Sequence, residues 1–294
     1  MSAATHQTGA APYYFVPAPS RHPALAATAL LLVIFGVLWG AFSRSIPLVP
    51  AKAALVVAPQ GPLVEQLSGD PFERALAEIL RQQPPETLLR DVVDSIAAAA
   101  EDGRIGALYL DLSGMERSGL AKLQEVARAI DAFRESGKPV IAYGDFYDQR
   151  QYYLAARADE IYLDPHGIAY VDGFARYGLF VKDAIDKLSI DWNVFRVGEY
   201  KSAVEMFSRN DMSAAEREEN LVWLGTLWGT YKNDVAAARG FEPEKLQSYA
   251  DDAVAALAAA GGDLAKMALD AGLVTALQGR TGVEQRLVQL TGEN

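Results

Sequence analysis

Between residues 53 and 197, strand-length apolar runs alternate with helical stripes, and this alternation constrains the fold more than any other feature of the chain. "AALVVAPQG" (53–61), "IGALYLDL" (105–112), "KPVIAYG" (138–144), "DEIYLDP" (159–165) and "DWNVFRV" (191–197) read as strands. The second is apolar almost throughout, which suits a strand covered on both faces. Between them lie helical patterns. Leu88, Leu89, Val92, Val93, Ile96 and Ala99 fall at helical spacing, with Gly103 as a stop. Leu120, Leu123, Val126, Ile130 and Phe133 form a second stripe, ended by Gly137. "QYYLAARA" (151–158) and "GLFVKDAIDKL" (178–188) read as shorter helices. Strands separated by helices predict an α/β fold with a mostly parallel sheet.

After residue 212 the pattern turns helical. Ser213 and Glu216 form a capping box, and Leu221, Leu224, Trp228, Tyr231 and Val235 step at 3, 4, 3, 4 as one stripe for core or subunit interface. The tail from residue 241 reads as several short helices broken at Gly261-Gly262 and Gly272. The expected organisation is a polar tail at 1–23, an apolar helix at 24–42, a tether at 43–52, an α/β body at 53–212 and a helical extension of the same domain at 213–294.

The run "ALAATALLLVIFGVLWGAF" (24–42) carries no charge, and Arg21 and Arg44 bracket it. At about 1.5 Å per residue it nearly matches a hydrocarbon core of roughly 30 Å. A cleaved signal peptide fits less well, because the run exceeds a signal h-region and follows a polar stretch. An uncleaved single-pass anchor is expected, with the acidic body translocated.

Composition removes several chemistries. A net charge of −11 argues against nucleic-acid binding. There is no cysteine, and the three histidines are scattered, with His166 read as part of a turn. Zinc hydrolysis and a Ser-His-Asp triad are poorly supported. No GxGxxG, Walker lysine motif or GxSxG elbow occurs, so a nucleotide cofactor has no support and none is expected. The pairs Asp159-Glu160 and Asp251-Asp252 read as solvated caps. Ser113 follows the strand "LYLDL", at the strand end where α/β sheets host sites.

Lys201 also follows the end of an expected strand. Gly198 lets the backbone turn, and Ser202-Ala203 leave room for other groups. A lysine is a general base only if desolvation lowers its usual pKa of about 10.4; a neutral amine can then deprotonate a serine without histidine. A solvated Lys201, or one paired with Glu199, fits the same spacing.

"NVFRVGEYKSAVEMF" (193–207) resembles the lysine-bearing segment of the signal peptide peptidase A family in its long, two-repeat form. "RESGKPVIAYGDFYDQRQYYLAARADEIYLDPHG" (134–167) is similar to that family's amino-terminal repeat, and the likeness runs from about residue 53 to about 277. The resemblance implies a Clp protease/crotonase-like spiral of parallel strands and helices. It also implies a membrane-anchored serine-lysine endopeptidase that degrades cleaved signal peptides on the outer side of the cytoplasmic membrane, assembled as a bowl-like homo-oligomer. By the same resemblance Lys201 is the general base, and the serine belongs to a carboxy-terminal repeat. The place comparable to that serine falls at Gln149, which has no ionisable hydroxyl, so no nucleophile is expected in this chain. Gly114, in "LSGMERSG", matches the family's glycine-rich oxyanion loop poorly. The alternative is a catalytically inactive, membrane-anchored oligomeric scaffold or peptide-binding module.

Overall fold

The computed structural model describes residues 22–42, 49–80, 85–195, 197–198 and 201–292, in two units, Met1–Leu48 and Val49–Asn294. In the first unit the described residues form one 21-residue helix, α1 (His22–Phe42). Leu25, the run 30–35 and Trp39 are exposed on it. Its side chains at 22–24, 26, 37, 38 and 40–42 lie outside the described residues, as do residues 1–21 and 43–48, where the polar tail and most of the tether were expected. Among the described residues no helix is long and apolar enough to cross a membrane.

The second unit runs β1 (Ala53–Val57), β2 (Leu63–Val64), α2 (Pro71–Leu80), β3 (Thr87–Leu88), α3 (Leu89–Glu101), β4 (Ile105–Asp111), α4 (Leu120–Glu135), β5 (Val140–Tyr147), α5 (Gln149–Ala155) and β6 (Glu160–Ala169). It continues through α6 (Lys182–Lys187), a 3-10 turn (Ser202–Val204), α7 (Glu205–Ser208) and α8 (Ala214–Arg239). Then come α9 (Glu244–Asp251), α10 (Ala253–Ala259), α11 (Leu264–Asp270), β7 (Ala276–Leu277) and α12 (Arg280–Thr291). Strands β1, β4, β5, β6 and β7 lie in that order in a wholly parallel sheet, so the α/β expectation is met.

Strand residues alternate faces, and here each face has its own cover. Leu108, Leu110, Val140 and Ala142 join the main core with Ile96 of α3 and Val126, Ile130 and Phe133 of α4. Tyr109, Ile141 and Tyr143 point the other way and pack with Val283, Leu287 and Leu290 of α12. The apolar run of β4 is explained by this: it is central and covered on both sides.

Four buried tyrosine hydroxyls tie the later segments to the sheet region. Tyr152 donates to the carbonyl of Leu273 (2.8 Å), Tyr153 to Asp234 (2.6 Å), Tyr231 to the carbonyl of Gln149 (2.9 Å) and Tyr249 to the carbonyl of Ala169 (2.8 Å). Burial of each ring is matched by a partner for its polar end, as buried tyrosines require. Burial pushes the Tyr249 hydroxyl up to about 12 and raises those of Tyr152 and Tyr231 as well.

Three expectations are corrected. Residues 191–195 form no strand: nothing pairs with them, and Phe195 and Val197 are 95% and 85% exposed. Without a ladder partner an extended apolar run stays irregular. Only Lys182–Lys187 of the expected helix at 178–188 is helical, and it buries no residue. The stripe on α8 is buried only in its second half: Tyr231 and Val235 are in the core, whereas Leu221 is 67% exposed. His166, read as part of a turn, lies at the irregularity within β6, its amide donating to Asp164 Oδ1 at 2.9 Å and its side chain exposed.

Two outcomes test this packing. Phe133 is fully buried, so Phe133→Ala should cost about 3–5 kcal/mol in denaturant unfolding; Val288→Ala, on the outer side of α12, should stay within about 0.5 kcal/mol. The tyrosine ties give a pH signature. A hydroxyl whose folded pKa is raised adds stability that is full below the unfolded value of about 10 and is lost as pH rises toward the folded value. For Tyr249 that window runs from about 10 to about 12. Unfolding midpoints should hold up to about pH 10 and then fall, with a shallower fall in Tyr249→Phe. A flat profile across that window contradicts the assignment.

Candidate active site

Lys201 lies on a strap that leaves β6 and returns at α8. Gly198, three residues before it, takes φ 110°, a conformation that residues with a Cβ rarely adopt. A Cβ there would lie 3.7 Å from the Lys201 stem, so the requirement for glycine is conformational rather than steric. Lys201 is exposed and directly precedes the 3-10 turn Ser202–Val204.

What holds this strap is a pair of acids, Glu216 of the expected capping box and Glu205, which sequence reading did not single out. Ser213 caps α8 as expected, its hydroxyl accepting from the Glu216 amide at 3.1 Å. The reciprocal half of the box comes from elsewhere: the Ser213 amide donates to the Glu205 carboxylate at 3.0 Å. Glu205, four residues beyond Lys201, is thereby bound to the N-terminus of α8, and both Glu205 and Glu216 are buried. Arg176 reaches in from the loop after β6, 3.2 Å from Glu216 and 3.2 Å from Asn220. Burial pushes the Glu216 carboxyl up, and its hydrogen bond to the Glu205 carboxyl adds to the rise, against the opposing charge of Arg176. No local spacing rule links Glu205 to Ser213 across eight residues, which is why this pairing was not legible.

Gln149 opens α5. Asp148 caps that helix with a complete box: its carboxylate accepts from the amides of Arg150 and Gln151, and Gln151 Oε1 accepts from the Asp148 amide. Gln149 is hydrogen-bonded through both its backbone and its side chain. Its carbonyl accepts from Tyr231, and its Oε1 accepts from the amides of Gly173 (2.7 Å) and Asp172 (3.3 Å). It borders a cavity of about 460 Å³ whose lining does not include Lys201, so the structure does not join these two positions in one pocket.

The remaining candidates have structural partners. The Ser113 hydroxyl donates to Asp111 at 2.6 Å. At Gly114 a Cβ would sit 2.3 Å from the Gln60 side chain, and its carbonyl accepts from the Gly61 amide, so that loop is closed onto its neighbour. Asp159 is paired with Arg134, and Glu160 with Arg286 of α12, rather than being free solvated caps. Among the described residues no three or more metal-ligating side chains converge.

The profile of peptidase family S49 matches residues 132–292, more than half of the chain. Over 246 residues the chain is 40% identical to "Protease 4" of Salmonella typhi, covering 82% of this chain and 40% of that protein. "Protease 4" of Haemophilus influenzae is 39% identical over 223 residues, 76% of this chain and 36% of that protein. "Serine protease SPPA, chloroplastic" of Arabidopsis thaliana is 27% identical over 199 residues, 67% of this chain and 29% of that protein. The chain therefore spans 40% or less of the length of these curated relatives. Among solved structures it is similar to the 1510-N membrane-bound stomatin-specific protease, at TM-score 0.41 and 10% identity over 80% of this chain and 84% of that one. It is also similar to an enoyl-CoA hydratase/isomerase family protein from Silicibacter pomeroyi, at TM-score 0.33 and 16% identity over 69% of each chain. By the match over residues 132–292, the chain belongs to peptidase family S49.

Proposed function

We propose that this chain is the lysine-bearing part of a membrane-anchored serine-lysine endopeptidase, with Lys201 as general base and the serine supplied from outside these 294 residues. The observation that carries this reading is the placement of Lys201 within the family match, on an exposed strap fastened by Glu205 and Glu216. A base must be held still relative to the group it deprotonates, and this clasp fastens the segment that follows Lys201. A lysine base works as the neutral amine, which desolvation favours. An exposed Lys201 therefore calls for a further segment to close over it, and the span of the relatives leaves room for one.

In that assembly the Lys201 amine takes the proton of the serine hydroxyl as its Oγ attacks the scissile carbonyl. It then returns that proton to the departing amine, leaving an acyl-serine that water hydrolyses by the same proton relay. Gln149 occupies the place that a nucleophile holds in the partner repeat and cannot substitute for it. We read the sequential parallel strands as a Clp protease/crotonase-like spiral, and the substrates as cleaved signal peptides. The anchor reading rests on sequence rather than on a described span: the uncharged run at 24–42 supports a single-pass anchor in the cytoplasmic membrane with the body outside.

The exposed apolar side chains support a second reading. Tyr177, Phe195, Val197 and Leu221 all face solvent, as an oligomeric scaffold without chemistry would also require. Peptide hydrolysis separates the two. In the complete protein, Lys201→Ala should lower hydrolysis by about 10²–10⁴-fold; unchanged hydrolysis refutes the base assignment. The clasp has its own measurement. Glu205→Ala leaves the Ser213 amide without a partner and should cost about 1–3 kcal/mol in denaturant unfolding. Glu205→Gln keeps an acceptor and should retain most of the stability, whereas equal losses in both variants contradict the clasp.

A further inference from the structure

We infer that the cavity beside Gln149 is a second, non-hydrolytic peptide subsite, which takes one large apolar side chain of an extended peptide and receives the adjoining carbonyl on the amides of Asp172 and Gly173. It goes beyond the peptidase reading and needs no role for Lys201.

The cavity holds about 460 Å³ and is walled by Leu120, Leu123, Phe174, Leu227 and Tyr231. That is ample for a leucine or phenylalanine side chain and lies within the usual range of ligand pockets. Its rim already binds the chemical group proposed for it. Gln149 Oε1 is an amide oxygen, and it sits 2.7 Å and 3.3 Å from two successive backbone amides. The two amides thus already meet at one acceptor, and Gly173, at φ +88°, turns the chain immediately after them. A peptide carbonyl is the intermolecular equivalent of this side-chain amide.

The frame around that contact is rigid, and the stand-in is not. The Gln149 backbone is pinned by Tyr231, whose ring stacks on Trp228 at 5.4 Å, and the start of α5 is fixed by the Asp148 box. Only rotations of the Gln149 side chain are needed to vacate the two donors, and side chains exchange among staggered rotamers. Charge selects a neutral carbonyl over a terminal carboxylate. Asp148 and Asp172 flank the rim, Arg150 is committed to Asp148 at 2.7 Å, and the chain carries a net charge of −11. The hydroxyl at the rim, Ser118, accepts from the Leu63 amide at 3.1 Å and lies 3.4 Å from the Glu116 carbonyl. Gln149 offers no nucleophile, so a bound peptide is held and not cut.

The test is fluorescence anisotropy on the full chain in detergent, using a dye-labelled pentapeptide blocked at both ends, with leucine, alanine or aspartate at its centre. The leucine peptide should bind and the other two should not. Gln149→Ala removes the competing acceptor and should tighten binding by about three- to tenfold, the worth of one net hydrogen bond. Leu227→Trp fills the cavity and should abolish binding; if that variant does not fold, the Gln149→Ala arm decides alone. Lys201→Ala disables the chemistry of the proposed peptidase and should leave this binding unchanged, so failure of the subsite and failure of the peptidase reading register separately. Equal binding of the leucine and alanine peptides, unchanged or weaker binding in Gln149→Ala, or loss of binding in Lys201→Ala overturns the subsite.

Discussion

A parallel sheet needs cover on both faces, and the rest of the second unit follows from how this chain provides it. One face is covered locally, by α3 and α4, as the crossovers between β1, β4 and β5 demand. The other is covered by α12 from the far end of the sequence, through Val283, Leu287 and Leu290 against Tyr109, Ile141 and Tyr143. The chain must therefore travel out from β6 and come back to finish its own core. The long excursion between β6 and β7 is where Lys201 sits.

The return is secured by buried tyrosines rather than by ion pairs. The charged contacts, such as Arg134 with Asp159 or Arg286 with Glu160, are partly solvated and contribute little. The hydroxyls of Tyr152, Tyr231 and Tyr249 instead reach backbone carbonyls from well-packed rings. This contrast divides the molecule into a stiff body, carrying Gln149 and its cavity, and a strap carrying Lys201. The strap has few buried apolar contacts, so the buried carboxyls of Glu205 and Glu216 and the guanidinium of Arg176 do the fastening.

Most of the sheet was legible because its signal is local. Strands β1, β4, β5 and β6 are apolar runs of the right length, and α3 and α4 bury most of the stripes that their spacing predicts, although Leu88 pairs in β3 instead of joining α3. The expected strand at 191–197 carries the same local signal, but pairing is not local, and no neighbour adds to its described residues. Strand β7 was missed for the converse reason: Ala276 and Leu277 are too short a run to stand out, and only their register with Tyr162 and Leu163 makes them a strand. The α8 stripe was half right, since periodicity reveals a face without saying how far the core extends beneath it. At the candidate site, Lys201 and Gln149 were visible through the family resemblance. Glu205, Arg176 and the two amides at 172 and 173 were not, because their roles depend on contacts between segments distant in sequence.

The central claim is that the base resides here and the nucleophile elsewhere. The most direct measurement is to treat the full-length protein with a serine-directed fluorophosphonate and map the labelled residue by mass spectrometry. The account predicts a single labelled serine outside these 294 residues. A label on a serine within them would contradict it.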